Sequence, residues 1–359
     1  MKASDFSRCG FSFCVPAFLL AACSGGYQSP LASPGSFQQS GVQSRLPQSL
    51  PDVIDASRAA QNLGVPDLHP DLRRSWMSPD AAKTKDLLYI SNYGGGDVDV
   101  YSYPQGKQVG DLTGFFHPDG MCVDEKQDIW IVNSYPASIV EYAHGGKTPI
   151  ATLADSSRFA VSCSIDRTTG DLAVSNFYGP KRTNNGNVAI YAKARGVPKI
   201  YRDSKINNVG FCGYDGKGDL FVDGQPNDSS QFQFRFAELP KGAKVMKNIT
   251  LSGGTILLPG AIAWDGKYVT VGDEDYLYQD YSAVYQTTGA GGKIVGVTAL
   301  ADSDVVENYW IEGNTLIAPN NLGYSSGGDV YFYKYPAGNN PTKSLTKGFA
   351  DPHGAAISE

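Results

Sequence analysis

The feature that most constrains this chain is its self-similarity. An apolar strand ending in Asn or Asp recurs as Asp86-Leu-Leu-Tyr-Ile-Ser-Asn92, Asp128-Ile-Trp-Ile-Val-Asn133, Asp171-Leu-Ala-Val-Ser-Asn176, Asp219-Leu-Phe-Val-Asp223, Lys267-Tyr-Val-Thr-Val-Gly-Asp273 and Thr315-Leu-Ile-Ala-Pro-Asn320. The six starts lie 42, 43, 48, 48 and 48 residues apart. A period of that length suits one four-stranded blade per copy. A second strand follows in each copy and carries an aromatic at one place: Tyr101, Tyr142, Tyr191, Phe236, Tyr285 and Tyr333. After three of these strands comes Pro104-Gln-Gly106, Pro240-Lys-Gly242 or Pro336-Ala-Gly338. These are turn chemistry, with Pro fixing φ and Gly tolerating a tight bend. A short strand precedes each copy, starting at or near Gly120, Val161, Gly210, Gly260, Asn308 and finally Gly354. The pattern predicts an all-β fold: a six-bladed β-propeller with four-stranded blades over residues 86–359.

The last of the short strands has no blade after it. Asp351-Pro-His-Gly-Ala-Ala-Ile-Ser358 matches Phe116-His-Pro-Asp-Gly-Met-Cys-Val123, so the C-terminal strand is expected to become the innermost strand of the first blade. That closure leaves no free inner sheet edge. The same register places Cys122, Cys163 and Cys212 in innermost strands. They are expected as small unpaired packing residues, with a disulfide or a reactive thiol as the alternatives. No two cysteines stand at C-x-x-C spacing, which removes zinc knuckles and redox pairs.

Composition agrees with a turn-rich β protein: 41 Gly, 21 Tyr and only 18% charged residues. The net charge of -6, without a basic block, excludes a nucleic-acid partner. At the N-terminus, Lys2 and Arg8 precede a short apolar run from Gly10 to Leu20 and the small residues Ala21 and Ala22, the layout of an export signal. The run is too short for a permanent membrane helix. Leu20-Ala21-Ala22-Cys23 followed by Ser24-Gly25-Gly26 resembles the bacterial lipobox. That resemblance implies a signal peptide over 1–22 and a Cys23 acylated as the mature N-terminus, with membrane attachment through the lipid. By resemblance to Gram-negative lipoproteins, Ser24 implies outer-membrane sorting in the cell envelope. The segment from 23 to 85 is expected to be a tether, Ser-, Gln-, Pro- and Gly-rich over its first half.

The recurring Pro-x-Gly, Asp-x-x-Gly/Lys-Asp and hydrophobic-x-Val-Asn/Asp elements resemble the NHL-type and related six-bladed propellers, a group that includes the gluconolactonase-like enzymes. This implies the fold and leaves the function open, because such propellers serve as scaffolds, binders, hydrolases and lyases. In a propeller the loops between second and third strands share a face with the blade-to-blade loops. The first set supplies Tyr93, Tyr135, Tyr178, Tyr276, Tyr278, Asn321 and Tyr324. Tyr and Asn together suit an envelope protein, a peptide or a glycan. The Asn or Asp closing each second strand is expected to bond its own loop backbone.

The blade-to-blade loops supply His117, Asp119, Asn208, Glu307, Asn308 and His353. The expected function is a non-enzymatic binding or scaffold module without a cofactor. The resemblance to gluconolactonase-like propellers implies an alternative, a lactone hydrolase with a Ca²⁺-type ion on Glu307, Asn208, Asn308 and Asp119. Of the four histidines, only His117 and His353 occupy channel positions, so the three-His zinc site of NHL-type amidating lyases is not expected.

Overall fold

The computed structural model describes residues 73–135, 137–155, 158–179, 186–226, 233–274, 281–322, 327–346 and 348–359. Six sheets carry the repeat, one per sequence copy. The chain enters through β1 (Trp76–Met77) and continues into blade one with β2 (Leu87–Asn92), β3 (Asp97–Ser102) and β4 (Lys107–Thr113). Blade two is β5 (Pro118–Val123), β6 (Ile129–Asn133), β7 (Ser138–Tyr142) and β8 (Pro149–Ala154). Blade three is β9 (Arg158–Ile165), β10 (Leu172–Tyr178), β11 (Asn187–Tyr191) and β12 (Lys199–Tyr201). Blade four follows with β13 (Asn208–Tyr214), β14 (Leu220–Gln225), β15 (Arg235–Leu239) and β16 (Lys247–Ile249). Blade five is β17 (Ile262–Trp264), β18 (Val269–Asp273), β19 (Ala283–Thr287) and β20 (Ile294–Ala299). Blade six is β21 (Trp310–Glu312), β22 (Thr315–Asn321), β23 (Gly328–Lys334) and β24 (Lys343–Leu345).

The ring closes as the repeat predicted. β25 (Pro352–Ser358) pairs antiparallel with β2, setting Leu87 opposite Ser358 and Ile90 opposite Ala355. Every residue of β25 is buried. The aromatics of the third strands, Tyr101, Tyr142, Tyr191, Phe236, Tyr285 and Tyr333, are all buried, filling the space between blades. Near the axis the inner strands approach so closely that side chains do not fit everywhere. A Cβ on Gly354 would stand 2.5 Å from the Asp119 carbonyl oxygen, which explains a Gly at this place.

Two expectations are corrected. Cys122 and Cys163 form a disulfide between the inner strands of blades two and three, with Cα atoms 5.7 Å apart. Residues at the same level of adjacent inner strands are neighbours, and here the two thiols meet. Cys212 stays a free, buried thiol, its Sγ 3.9 Å from the Ser162 hydroxyl. The second correction concerns the recurring Asn or Asp. Instead of bonding its own loop, it holds the connection arriving from the previous blade: Asn133 accepts from the backbone N–H of Phe116 and His117, Asp273 from Leu257 and Leu258, and Asn320 from Asp304. In blades two, five and six the side chain ending the second strand thus sets where the arriving loop lies, whereas Asp223 of blade four accepts from Phe211 in its own inner strand and from Gly260 of the next blade.

The end of the segment read as tether packs on blade one. β1 adds a fifth strand outside β4, with Trp76 opposite Asp111 and Met77 opposite Gly110. Arg73 reaches Asp97 at 2.7 Å and Asp111 at 3.4 Å. Between them Asp99 is buried, and desolvation lifts its pKa to about 6 despite hydrogen bonds from Asn92 and Gln108. A carboxyl whose pKa is raised on folding contributes stability below its unfolded value and loses it as pH rises through the folded value. Between pH 4 and 7 the protein is therefore expected to lose about 2 kcal/mol relative to an Asp99→Asn variant. Urea denaturation of both proteins at the two pH values checks this, and parallel pH profiles would contradict it.

Candidate functional site

The inner strands converge at the axis, and the residues preceding the recurring positions Gly120, Val161, Gly210, Gly260, Asn308 and Gly354 occupy equivalent places in the repeat. Around the ring these residues are Asp119, Ala160, Val209, Pro259, Glu307 and His353. Blades two, six and one supply two carboxylates and an imidazole. Blades three, four and five supply apolar side chains. The mouth is two-sided before any ligand is considered.

On the polar side the three groups meet. His353 Nδ1 lies 3.2 Å from Glu307 Oε2 and 3.5 Å from Asp119 Oδ1, and makes a hydrogen bond with neither. Its other nitrogen, Nε2, lies 3.4 Å from Asp351 Oδ1 and 3.2 Å from Asn321 Nδ2. Asn308 donates to Asp119 Oδ1 at 3.3 Å. The Ser134 hydroxyl is 3.3 Å from Asp119 Oδ2 and donates to the Ala160 carbonyl at 2.6 Å. Ser91 donates to the backbone carbonyl of Asp119 at 2.7 Å and accepts from Gly354 N–H at 2.7 Å, tying the first two blades together at this point.

Asp119, Asp351 and His353 are buried, whereas Glu307 keeps part of its side chain exposed. Burial pushes Asp119 up to about 6 against the pull of His353. His353 is pulled down by burial but held well above its ordinary value by Glu307, Asp351 and Asp119. Burial, then Glu307 and Asp223, raise Glu274 well above the usual carboxylate range. No lysine or arginine figures among the dominant charges on these three groups. The arrangement is one that favours positive charge.

A stack of rings backs it. Tyr93 is sandwiched between His117 and His353, both centroids 4.3 Å away and the planes within 18° and 11° of parallel. His117 Nδ1 lies 3.1 Å from the Tyr93 carbonyl, and burial lowers its pKa. Tyr93, expected on the binding face, is a buried spacer that fixes both imidazoles. Tyr135 is 52% exposed and meets Phe116 edge-on at 6.0 Å. Tyr178 is half-buried against Phe159 and Phe177. Asn321 is buried beside His353, and the following Leu322 is 43% exposed.

The structure thus unites Asp119, Glu307, Asn308, His353, His117, Tyr93 and Asn321. Asn208 contributes differently: it opens β13 opposite Gln225, and its side-chain oxygen is buried without a hydrogen-bond partner. The oxygen-only set expected for calcium is therefore assembled in part, with an imidazole in its midst. Asp351, which the sequence places in the same blade-to-blade loop as His353 without marking it as a ligand, belongs to the group. The motif His117-Pro-Asp119 and its counterpart Asp351-Pro-His353, with acid and imidazole exchanged, carry the signal that could have found it. Tyr276, Tyr278, Tyr324 and Cys23 lie outside the described residues.

No protein-family profile and no curated protein sequence matches this chain. Solved structures do resemble it. A chain from the crystal structure of a nidogen/laminin complex superposes with a TM-score of 0.58 at 11% identity, covering 76% of this chain and 98% of the other. A protein of unknown function from Bacteroides caccae gives a TM-score of 0.53 at 11% identity, covering 76% and 99%. At such identities the likeness is one of fold, and the chain is a six-bladed β-propeller.

Proposed function

We propose that this chain is an exported, lipid-anchored envelope protein whose propeller is a non-enzymatic binding or scaffold module, working through the face that carries the channel mouth. The observation that carries this reading is the convergence of Asp119, Glu307, His353 and Asn308 beneath a face that leaves Tyr135 and Leu322 exposed. Polar groups in a recess with apolar anchors beside them are the ordinary makings of a recognition surface. Export is supported by the Cys122–Cys163 disulfide, a bond that persists in oxidising compartments.

Envelope cross-linking and pull-down with the full chain test the face. Tyr135→Ala combined with Leu322→Ala is expected to lower partner recovery at least about tenfold, the effect of losing one or two interface anchors. Unchanged recovery would sink the binding-face reading. Labelling cells with a clickable fatty acid tests the anchor, with signal expected on the wild type and none on Cys23→Ser. The same channel-mouth cluster favours a second reading, a metal-assisted hydrolase, which predicts lactone hydrolysis that EDTA abolishes.

A further inference from the structure

We propose that Asp119, Glu307 and His353 form a site for a borderline transition-metal dication of the zinc type, with calcium disfavoured. The proposal deepens the reading of this face as a binding face, because it names what the recess holds. Geometry comes first. One ligand atom from each residue can be chosen so that all three lie within 4.8 Å of one another. The separations from His353 Nδ1, 3.2 Å to Glu307 and 3.5 Å to Asp119, are short for ligands that do not hydrogen-bond. A tetrahedral zinc ion with bonds of about 2.1 Å spaces its ligand atoms by about 3.4 Å.

The second observation is His353 itself. Its side chain is 2% exposed, and its Nδ1 is directed at the two carboxylates with no hydrogen-bond partner. That nitrogen meets the carboxylates as an ion pair when the ring is charged, and as a ligand when a dication takes the place of its proton. The opposite edge of the ring is prepared as a metal-bound histidine requires. Asp351 Oδ1 stands 3.4 Å from Nε2, and both Asp351 oxygens are buried without another hydrogen-bond partner. Nε2 sits between the Asp351 carboxylate and the Asn321 amide, and with its proton directed to Asp351 the Nδ1 lone pair is left for the ion. Tyr93, stacked on the ring, holds its plane. Asn308 donates to Asp119 and orients it.

Ligand chemistry then selects the metal. Imidazole with two carboxylates suits zinc and its neighbours, while calcium asks for six to eight oxygens at longer distances. Calcium would need Asn208 and further oxygens in the group, and the nitrogen of His353 occupies the centre instead.

The test uses the full chain in detergent, stripped with a chelator and titrated with ZnCl₂ against a chromophoric competitor. One Zn²⁺ per chain is expected, together with a raised melting temperature. CaCl₂ at tenfold excess is expected neither to displace the zinc nor to shift the melting temperature. His353→Gln and Glu307→Gln should each weaken zinc binding at least tenfold, and His144→Gln, remote from the group, should not. Co²⁺ should give the visible absorption of a four-coordinate site in the wild type and lose it in His353→Gln. Failure to bind zinc stoichiometrically, equal competition by calcium, or unchanged affinity in a folded Glu307→Gln protein would each overturn the proposal. The partly exposed Glu307 keeps the test decisive if His353→Gln does not fold. Lost zinc with intact partner recovery strikes this proposal alone, whereas intact zinc with unchanged recovery in the Tyr135 and Leu322 variant strikes the binding-face reading alone.

Discussion

Denatured without reductant, a soluble form lacking residues 1–26 is expected to titrate one thiol, Cys212, and after reduction three. The physical basis is the bridge between Cys122 and Cys163, which closes a loop of sequence separation 41. A cross-link of that span removes unfolded-state entropy worth about 4 kcal/mol in the chain-entropy picture. Cys122→Ser and Cys163→Ser are accordingly expected to lower unfolding free energy by about 2–4 kcal/mol each, and the double variant by little more than either single one. Additive losses would mean that the two sulfurs act separately. Cys212→Ala should cost less, since that thiol is a small buried group packed against Ser162. Thiol titration beside urea denaturation decides among these outcomes. A count of three without reductant would falsify the bridge.

That bridge marks where the sequence stops being legible. Strand periodicity and the recurring aromatics were enough to place six blades, because each is a local pattern repeated at nearly fixed spacing. Cys122, Cys163 and Cys212 also share a register in the repeat. What register does not reveal is which pair of neighbouring inner strands comes close enough at that level to join Sγ to Sγ. Blades two and three do; blade four turns its cysteine towards Ser162 instead. The lead-in strand was hidden for a different reason. Trp76 and Met77 are two residues without periodicity, and what docks them lies at a distance in sequence: the Asp97 and Asp111 carboxylates that meet Arg73, and Thr113, which bonds Ser75 and the Arg73 carbonyl.

The site was legible to the extent that it follows from topology. Asp119, Glu307, Asn308 and His353 sit at the head of inner strands, and inner strands must converge. Tyr93 was misplaced because a tyrosine beside a glycine-rich turn resembles a surface group until its neighbours are known; between His117 and His353 it has no surface to offer. The sequence makes the recurring Asn and Asp look like turn formers, yet the partner of Asn133, Asp273 and Asn320 is the preceding connection, which no local pattern names. That clamp has a functional consequence: Asn133 holds the loop that carries His117, and Asn92 faces the backbone N–H of Ala350, just before Asp351 and His353.

Truncation after Asp351 is expected to abolish cooperative folding altogether. β25 supplies the inner strand of the blade whose other strands end at Thr113, and all of its residues are buried. Its loss would uncover Leu88, Ile90 and Tyr89 on β2 and leave a ladder of backbone groups unpaired along the axis. Each large apolar side chain so exposed costs about 1.5–3 kcal/mol, and the sum is comparable with the whole stability of a domain. Smaller changes grade the effect. Ile357→Ala removes packing against the sixth blade's cluster and should cost about 2–4 kcal/mol. Ser358→Ala should cost about 1–2 kcal/mol, because the Ser358 hydroxyl donates to the Gln127 carbonyl at 2.6 Å and lies 2.6 Å from His144 Nδ1, joining the closing strand to blade two. Since the same strand carries His353, an intermediate variant such as Ser358→Ala should keep its site while lowering its melting temperature. Circular dichroism through urea and thermal unfolding measures the series. If the truncated chain kept a single transition at the wild-type midpoint, closure by β25 would have to be abandoned as the element that holds the ring.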